Sequence, residues 1–199
     1  LIAFFGLIVL LQSASEGSTR AFFNVYLDLG LNLATDRIGL LMGSAQLLPI
    51  VAAAATPLLL RKRGATNTYI VAALGIAASL LVLAIFANWV AAGAAFGGVI
   101  MMAAVSSIAR SLLSQEIVVP RWRTMTSAAI TIGIASGWAV TAIAGGYLID
   151  GTGFRIVFLL SAGLAVSAAL LLVVLRKRTS ADVATHKLTG EGRASAADV

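Results

Sequence analysis

The chain contains no cysteine, so neither a disulfide nor a thiolate metal centre can form. Its single histidine, His186, lies close to the C-terminal end, which removes the commonest general base from the rest of the chain. Charge is scarce as well. Charged residues make up 11% of the sequence, against about 25% in a soluble domain. No phosphate-cradling loop, Gly-x-Gly-Asp motif or cluster of metal-ligating side chains occurs. These absences argue against an enzyme and imply no cofactor and no metal ion. The lack of a repeated, ring-forming charged segment argues against a channel.

What the chain has is apolar length. It is 60% hydrophobic, with a mean hydropathy of +1.00. No charge falls within 38–60, 64–109, 124–149 or 156–175. A spanning helix needs roughly 20 apolar residues, and the stretch 64–109 holds two, with a break at Asn88-Trp89. The pattern predicts an all-α membrane protein with six transmembrane helices, at 1–28, 38–60, 67–87, 90–114, 124–149 and 155–175. Residues 1–178 form the bundle. Residues 179–199 are too polar to bury a core and read as a disordered tail.

The net charge of +6 is placed by topology rather than by nucleic acid, which is not an expected partner. Arg61-Lys62-Arg63, Arg121 with Arg123, and Arg176-Lys177-Arg178 follow helices two, four and six. The opposite loops hold Arg37 and Arg155 against Asp28, Asp36 and Asp150. Basic loops stay in the cytoplasm, so the C-terminus is expected there, with anionic lipid headgroups as secondary partners. Leu11-Gln12-Ser13-Ala14-Ser15 resembles a signal-peptide cleavage site. The favoured expectation is instead the later part of a longer protein.

Helix one carries a polar island, Gln12-Ser13-Ala14-Ser15-Glu16-Gly17-Ser18-Thr19-Arg20. A charge at bilayer depth costs about 2.5–3.5 kcal/mol on insertion scales, so two of them argue for a use. At helical spacing Gln12, Ser15, Glu16, Thr19, Arg20 and Phe23 form one stripe, expected to line a water-filled path or cavity. Its two readings are a self-neutralising ion pair and a site for substrate or proton coupling. Asn24 and Gln46 are further cavity candidates. Arg110, a turn from the end of helix four, either snorkels or pairs with Glu116. Arg110, Glu116 and Arg123 are assigned to structural or gating roles, and Trp138 to packing. Pro49 and Pro57 are kink candidates in helix two. Gly133, Gly137, Thr141 and Gly145 recur every four residues on helix five, as do Gly93 and Gly97 on helix four and Gly39 and Gly43 on helix two. Small residues at that spacing let backbones approach, for fixed packing or for a sliding interface. Helices run polar, polar, bland, polar, polar, bland, as a three-helix unit used twice would. The bland ones are expected to face lipid.

Several stretches resemble the major facilitator superfamily. The loop Pro57-Leu58-Leu59-Leu60-Arg61-Lys62-Arg63-Gly64 is similar to that family's G-x-x-x-D-R-x-G loop, with Pro57 in place of the first glycine and Arg61 in place of the aspartate. Gln115 to Arg123 resembles the loop between helices ten and eleven. Gly137-Trp138 through Gly145-Gly146-Tyr147-Leu148-Ile149-Asp150, then Gly153-Phe154-Arg155 and Phe158, resembles helix eleven leading into helix twelve. Glu16-Gly17 with Phe22 to Leu27 resembles helix seven. The resemblance implies helices seven to twelve of a twelve-helix transporter, built as two inverted three-helix repeats with substrate near the midplane. It makes helices seven and ten cavity-lining, eight and eleven interfacial, and nine and twelve peripheral. The implied function is the C-terminal half of a secondary active transporter working by alternating access, with proton-coupled efflux or uptake of a drug or metabolite as one form. The alternative is a non-transporting multi-pass scaffold or receptor. The implied partners are a small-molecule substrate, membrane lipid and the missing N-terminal six-helix half, in the plasma (inner) membrane.

Overall fold

In lipid, backbone N–H and C=O groups must be satisfied within the chain, which leaves an apolar sequence without strand pairing only the helix. The computed structural model describes residues 2–118 and 120–195, and these are helical with short connections. The helices are α1 (Ile2–Val25), α2 (Thr35–Ala45), α3 (Leu48–Ile85), α4 (Trp89–Ile117), α5 (Arg123–Thr152) and α6 (Phe154–Ser195). The protein is an all-α membrane protein.

Each break has a local cause. α1 ends in a π-helical turn, Tyr26–Gly30, and the chain turns through Asn32 at φ 50°. α2 stops at Gln46-Leu47, directly before Pro49 at the start of α3. α3 is two helices joined at Gly64, where φ is 75° and ψ is 168°, a conformation open in practice only to glycine. Pro57 lies inside the first of the two. The Asn88 side chain caps α4 by accepting from the Ala91 N–H at 2.7 Å, at the break expected there. Gly153, at φ 79°, ends α5 and donates its N–H to Ile149 O at 3.0 Å.

Among the described residues, four helical stretches are long and apolar enough to cross a membrane: Thr35–Ile85, Trp89–Glu116, Arg123–Thr152 and Phe154–Lys177. The first is 51 residues long, about 76 Å at 1.5 Å per residue, and with its break at Gly64 it makes two crossings. α1 is not among the four. Its 24 residues still span about 36 Å, and its polar residues 12–19 are covered by protein.

The bundle repeats itself with inverted direction. α1 packs along α5, and the first part of α3, with α2, packs along α4. The second part of α3 packs along α6. Exchanging the first three spans for the last three carries one set of contacts onto the other. One apolar cluster, holding Phe5, Tyr69, Leu113 and Leu175, fills the end where α1 begins. Another, holding Phe23, Leu83, Phe96 and Phe158, fills the end where α4 begins, with Phe23 stacked on Phe96 at 4.1 Å.

Two expectations about packing change. The bland helices do not simply face lipid. Tyr69, Ala72, Ile76 and Leu80 of α3 and Ala165, Ala168 and Leu172 of α6 are buried where those helices meet the rest of the bundle. The most outward-facing spans are the polar second and fifth. Gly39 and Gly43 of α2 have open space beside them, so this glycine pair makes no contact within the bundle. α6 also departs from expectation by continuing as helix to Ser195, so residues 179–195 are helical rather than irregular. Extending an existing helix needs no new nucleus, and Ala181, Ala184, Lys187 and Leu188 are good helix formers. Residues 196–199 of the expected tail lie outside the described residues.

Candidate functional site

α1 is the centre of the molecule. Residues 12–19 are all buried, including Gln12, Ser13, Ser15, Glu16, Ser18 and Thr19. The helix can be this polar because α5 covers it at very short range. A Cβ built on Gly137 would lie 2.7 Å from Leu10 O and 2.9 Å from Ala14 N. Gly133 meets the backbone at Gly6 less tightly, at 3.2 Å, Gly145 lies against the Phe22 ring, and Gly17 of α1 against Trp138. Thr141, in the same stripe, donates its hydroxyl to Ala14 O across the interface at 2.8 Å. Ser15 and Ser18 return their hydroxyls to the carbonyls three residues back, at 2.7 and 3.0 Å, which satisfies them without water.

The stripe predicted to line an open path therefore divides. Gln12, Ser15, Glu16, Thr19 and Phe23 point into the bundle, while Arg20 and Asn24 point out of it. The reason is helical phase: Arg20 and Asn24, one turn apart, fall on the face of α1 that the bundle leaves open, while Phe23 beyond them is again fully buried. Glu16 is only 7% exposed. Gln12 donates from Nε2 to Glu16 Oε1 at 3.5 Å. Arg110 of α4 and Arg20 of α1 are the charges near enough to act on Glu16.

Arg110 is half-buried on α4 and near enough to act on Glu16 and Tyr69, whereas Glu116 and Arg123 are exposed. Tyr69, which sequence reasoning missed, is fully buried on α3 beside Arg110 and Ser106. A lone tyrosine on an apolar helix gives no periodic signal. Its one clue is that a buried hydroxyl needs a partner. Arg20 stacks its guanidinium 5.5 Å from the centre of the Trp138 ring, and Trp138 is 42% exposed, so this tryptophan is a cation–π partner as well as a packing residue. Gln46 is exposed at the α2–α3 break, on a different element from the island.

A groove of about 770 Å³ lies elsewhere. It runs between α2 and α4, with Leu40, Leu48, Trp89 and Val90 on its walls and Arg37 and Ser44 as its polar groups. None of the island residues borders it. Its walls are apolar, as for a surface that meets lipid or another helix.

The molecule is thus a six-span helical bundle with inverted halves, basic residues grouped at one end and a charged centre. The family model described as Major Facilitator Superfamily matches residues 5–198. The chain belongs to the Major Facilitator Superfamily. It is accordingly a multi-pass membrane protein of a transporter family. No curated protein matches it.

Proposed function

We propose that this major facilitator chain is the C-terminal six-helix half of a secondary transporter that moves a small solute by alternating access, with Glu16 as its coupling group. The observation that carries this reading is a carboxylate buried within the bundle, only 7% exposed, with Arg110 of α4 and Arg20 of α1 as the charges near enough to act on it. A carboxylate is the only group in the island able to take up and release a proton in the physiological range. A purely structural contact could be made by an amide of the same size without charge. Arg20, Trp138, Asn24 and Gln46 are outward-facing and form the candidate contact set for substrate, with Arg20 suited to an anionic group and Trp138 to a ring.

The proposed partner half would cover the outward apolar faces of the second and fifth spans, carrying Leu40, Ile50 and Val51 on one and Ile132, Ile143 and Tyr147 on the other. The proposed location is the plasma (inner) membrane with the C-terminus in the cytoplasm. Arg61, Lys62, Arg63, Arg176 and Lys177 are exposed, and Arg176 donates to Asn67 Oδ1 at 2.7 Å, which brings two of the basic segments together at one end. That grouping suits anionic lipid headgroups.

The test is Glu16→Gln in the complete transporter, reconstituted in liposomes and screened against a panel of labelled small solutes under an imposed pH gradient. Ser167→Ala, on the outward face of α6, is the control. The expected outcome is loss of gradient-driven accumulation with solute exchange retained. Unchanged accumulation would refute the coupling role. Lowered stability that is restored by adding Arg110→Gln, with no solute moved by the parent protein, would favour the multi-pass scaffold.

A further inference from the structure

Among the described residues, four fully buried side chains carry polar atoms with no hydrogen-bond partner: Gln12 Oε1 and Thr19 Oγ1 on α1, Tyr69 Oη on α3 and Ser106 Oγ on α4. Leaving one such group unsatisfied costs about 1–3 kcal/mol, and a bundle otherwise packed through glycine contacts has no reason to keep four. Three of them are grouped. Tyr69 packs in one cluster with Ile8 and Val9 of α1 and with Ala109 of α4, the neighbour of Arg110, and its hydroxyl stands near Ser106 and Arg110 without meeting hydrogen-bond geometry to either. Ser106 and Arg110 share a face of α4 at four-residue spacing, as Gln12 and Glu16 do on α1.

We propose that Gln12, Glu16, Tyr69, Ser106 and Arg110 enclose a buried hydration site in which ordered water joins α1, α3 and α4. The chemistry of the enclosure selects the guest. Arg110 and the Tyr69 hydroxyl present donors, which suit an anion, but the Glu16 carboxylate and Gln12 Oε1 present acceptors, which repel one. A cation meets the opposite conflict at Arg110. Water donates and accepts, and a buried water makes two to four such bonds. Arg110 is half-buried, and Tyr69 packs with Ala109, Leu113 and Leu175 at the end that carries Arg63 and Arg176. The site therefore lies between Glu16 and the basic end of the molecule. Where Glu16 is the coupling group, as proposed above, these waters give it a proton route toward that end. The hydration itself does not depend on that role.

Radiolytic hydroxyl labelling of the complete protein in lipid vesicles tests the proposal, because bound water generates the radical in place and no substrate is needed. Each residue's rate is normalised to its own rate in the unfolded chain. Tyr69 is expected to be modified although it is fully buried, while Phe23 and Phe158, buried among apolar groups, remain unmodified. Combining Gln12→Leu with Ser106→Ala is expected to abolish labelling at Tyr69. An unchanged thermal midpoint and an unchanged rate at Tyr147 identify a folded variant. Tyr69 as unreactive as Phe158 in the parent protein would mean that its hydroxyl bonds Arg110 directly, and would overturn the proposal. Undiminished labelling of Tyr69 in a folded double variant would overturn it too. If Glu16→Gln leaves coupling intact while Tyr69 labels as expected, the coupling role fails and the hydration site stands.

Discussion

Glu16 is legible in the sequence as a charge that an apolar helix would not keep idly, but its surroundings are not. Arg20, four residues along the same helix, is the neighbour that spacing offers. The structure adds Arg110, from a helix more than ninety residues away in the chain, as a second charge near enough to act on it. Local periodicity reports which residues share a face and is silent on which helix that face meets. The Glu16–Arg110 relationship is open to a double-mutant cycle. Removing one partner of a fully buried pair costs about 3–5 kcal/mol. With Arg110 half-exposed, Arg110→Gln is expected to cost on the order of 1–3 kcal/mol after allowing for solvent screening. Adding Glu16→Gln should recover part of that loss, because it removes the stranded charge. Thermal unfolding of the four proteins in detergent measures the coupling, and strictly additive losses would show that the two side chains act independently.

Among the elements, α1 and α5 are the pair whose contact the sequence foretells most directly. Gly133, Gly137, Thr141 and Gly145 are buried and meet α1, as their four-residue spacing implies. Gly39 and Gly43 have the same spacing and touch nothing. Small residues permit close approach without requiring it, so the spacing alone does not separate a used face from an unused one. The distinction is measurable. Gly137→Ala puts a methyl against the Leu10 carbonyl and the Ala14 amide, neither of which can move aside, and should destabilise the protein by about 1–3 kcal/mol. Gly146→Ala, with nothing nearby, should leave the unfolding midpoint unchanged or slightly raised. Equal effects at the two positions would show that α5 does not bear on α1 through this stripe. The joint between the second and third spans makes a similar case at Gly64. Its φ of 75° with ψ of 168° should make Gly64→Ala cost about 1–3 kcal/mol although no neighbour stands in the way. A thermal shift as small as that of Gly146→Ala would mean that the joint relaxes freely.

For the whole molecule, length and charge grouping make the all-α membrane architecture legible, and the order of polar and bland spans suggests its repeat. The solvent-side detail is less legible, because lipid and a second bundle both favour apolar outer faces. The spans that the polar pattern marks as inward, the second and fifth, are the ones left outermost here, with Leu40 at 78% and Tyr147 at 80% exposure. Orientation in the membrane can be decided directly, since the chain is free of cysteine and any introduced thiol is unique within it. The Asn67–Arg176 bond places the start of the third span and the end of the sixth at one end of the bundle, so a single site there reports for both. Lys62→Cys and Ala34→Cys replace exposed residues at the basic end and on the far side of the second span. With basic loops held in the cytoplasm, an impermeant maleimide added to intact cells should label Cys at position 34 and reach position 62 only after permeabilisation. The reverse pattern would turn the bundle over. It would leave every helix contact in place and put the basic end outside, so the route from Glu16 toward that end would open to the exterior.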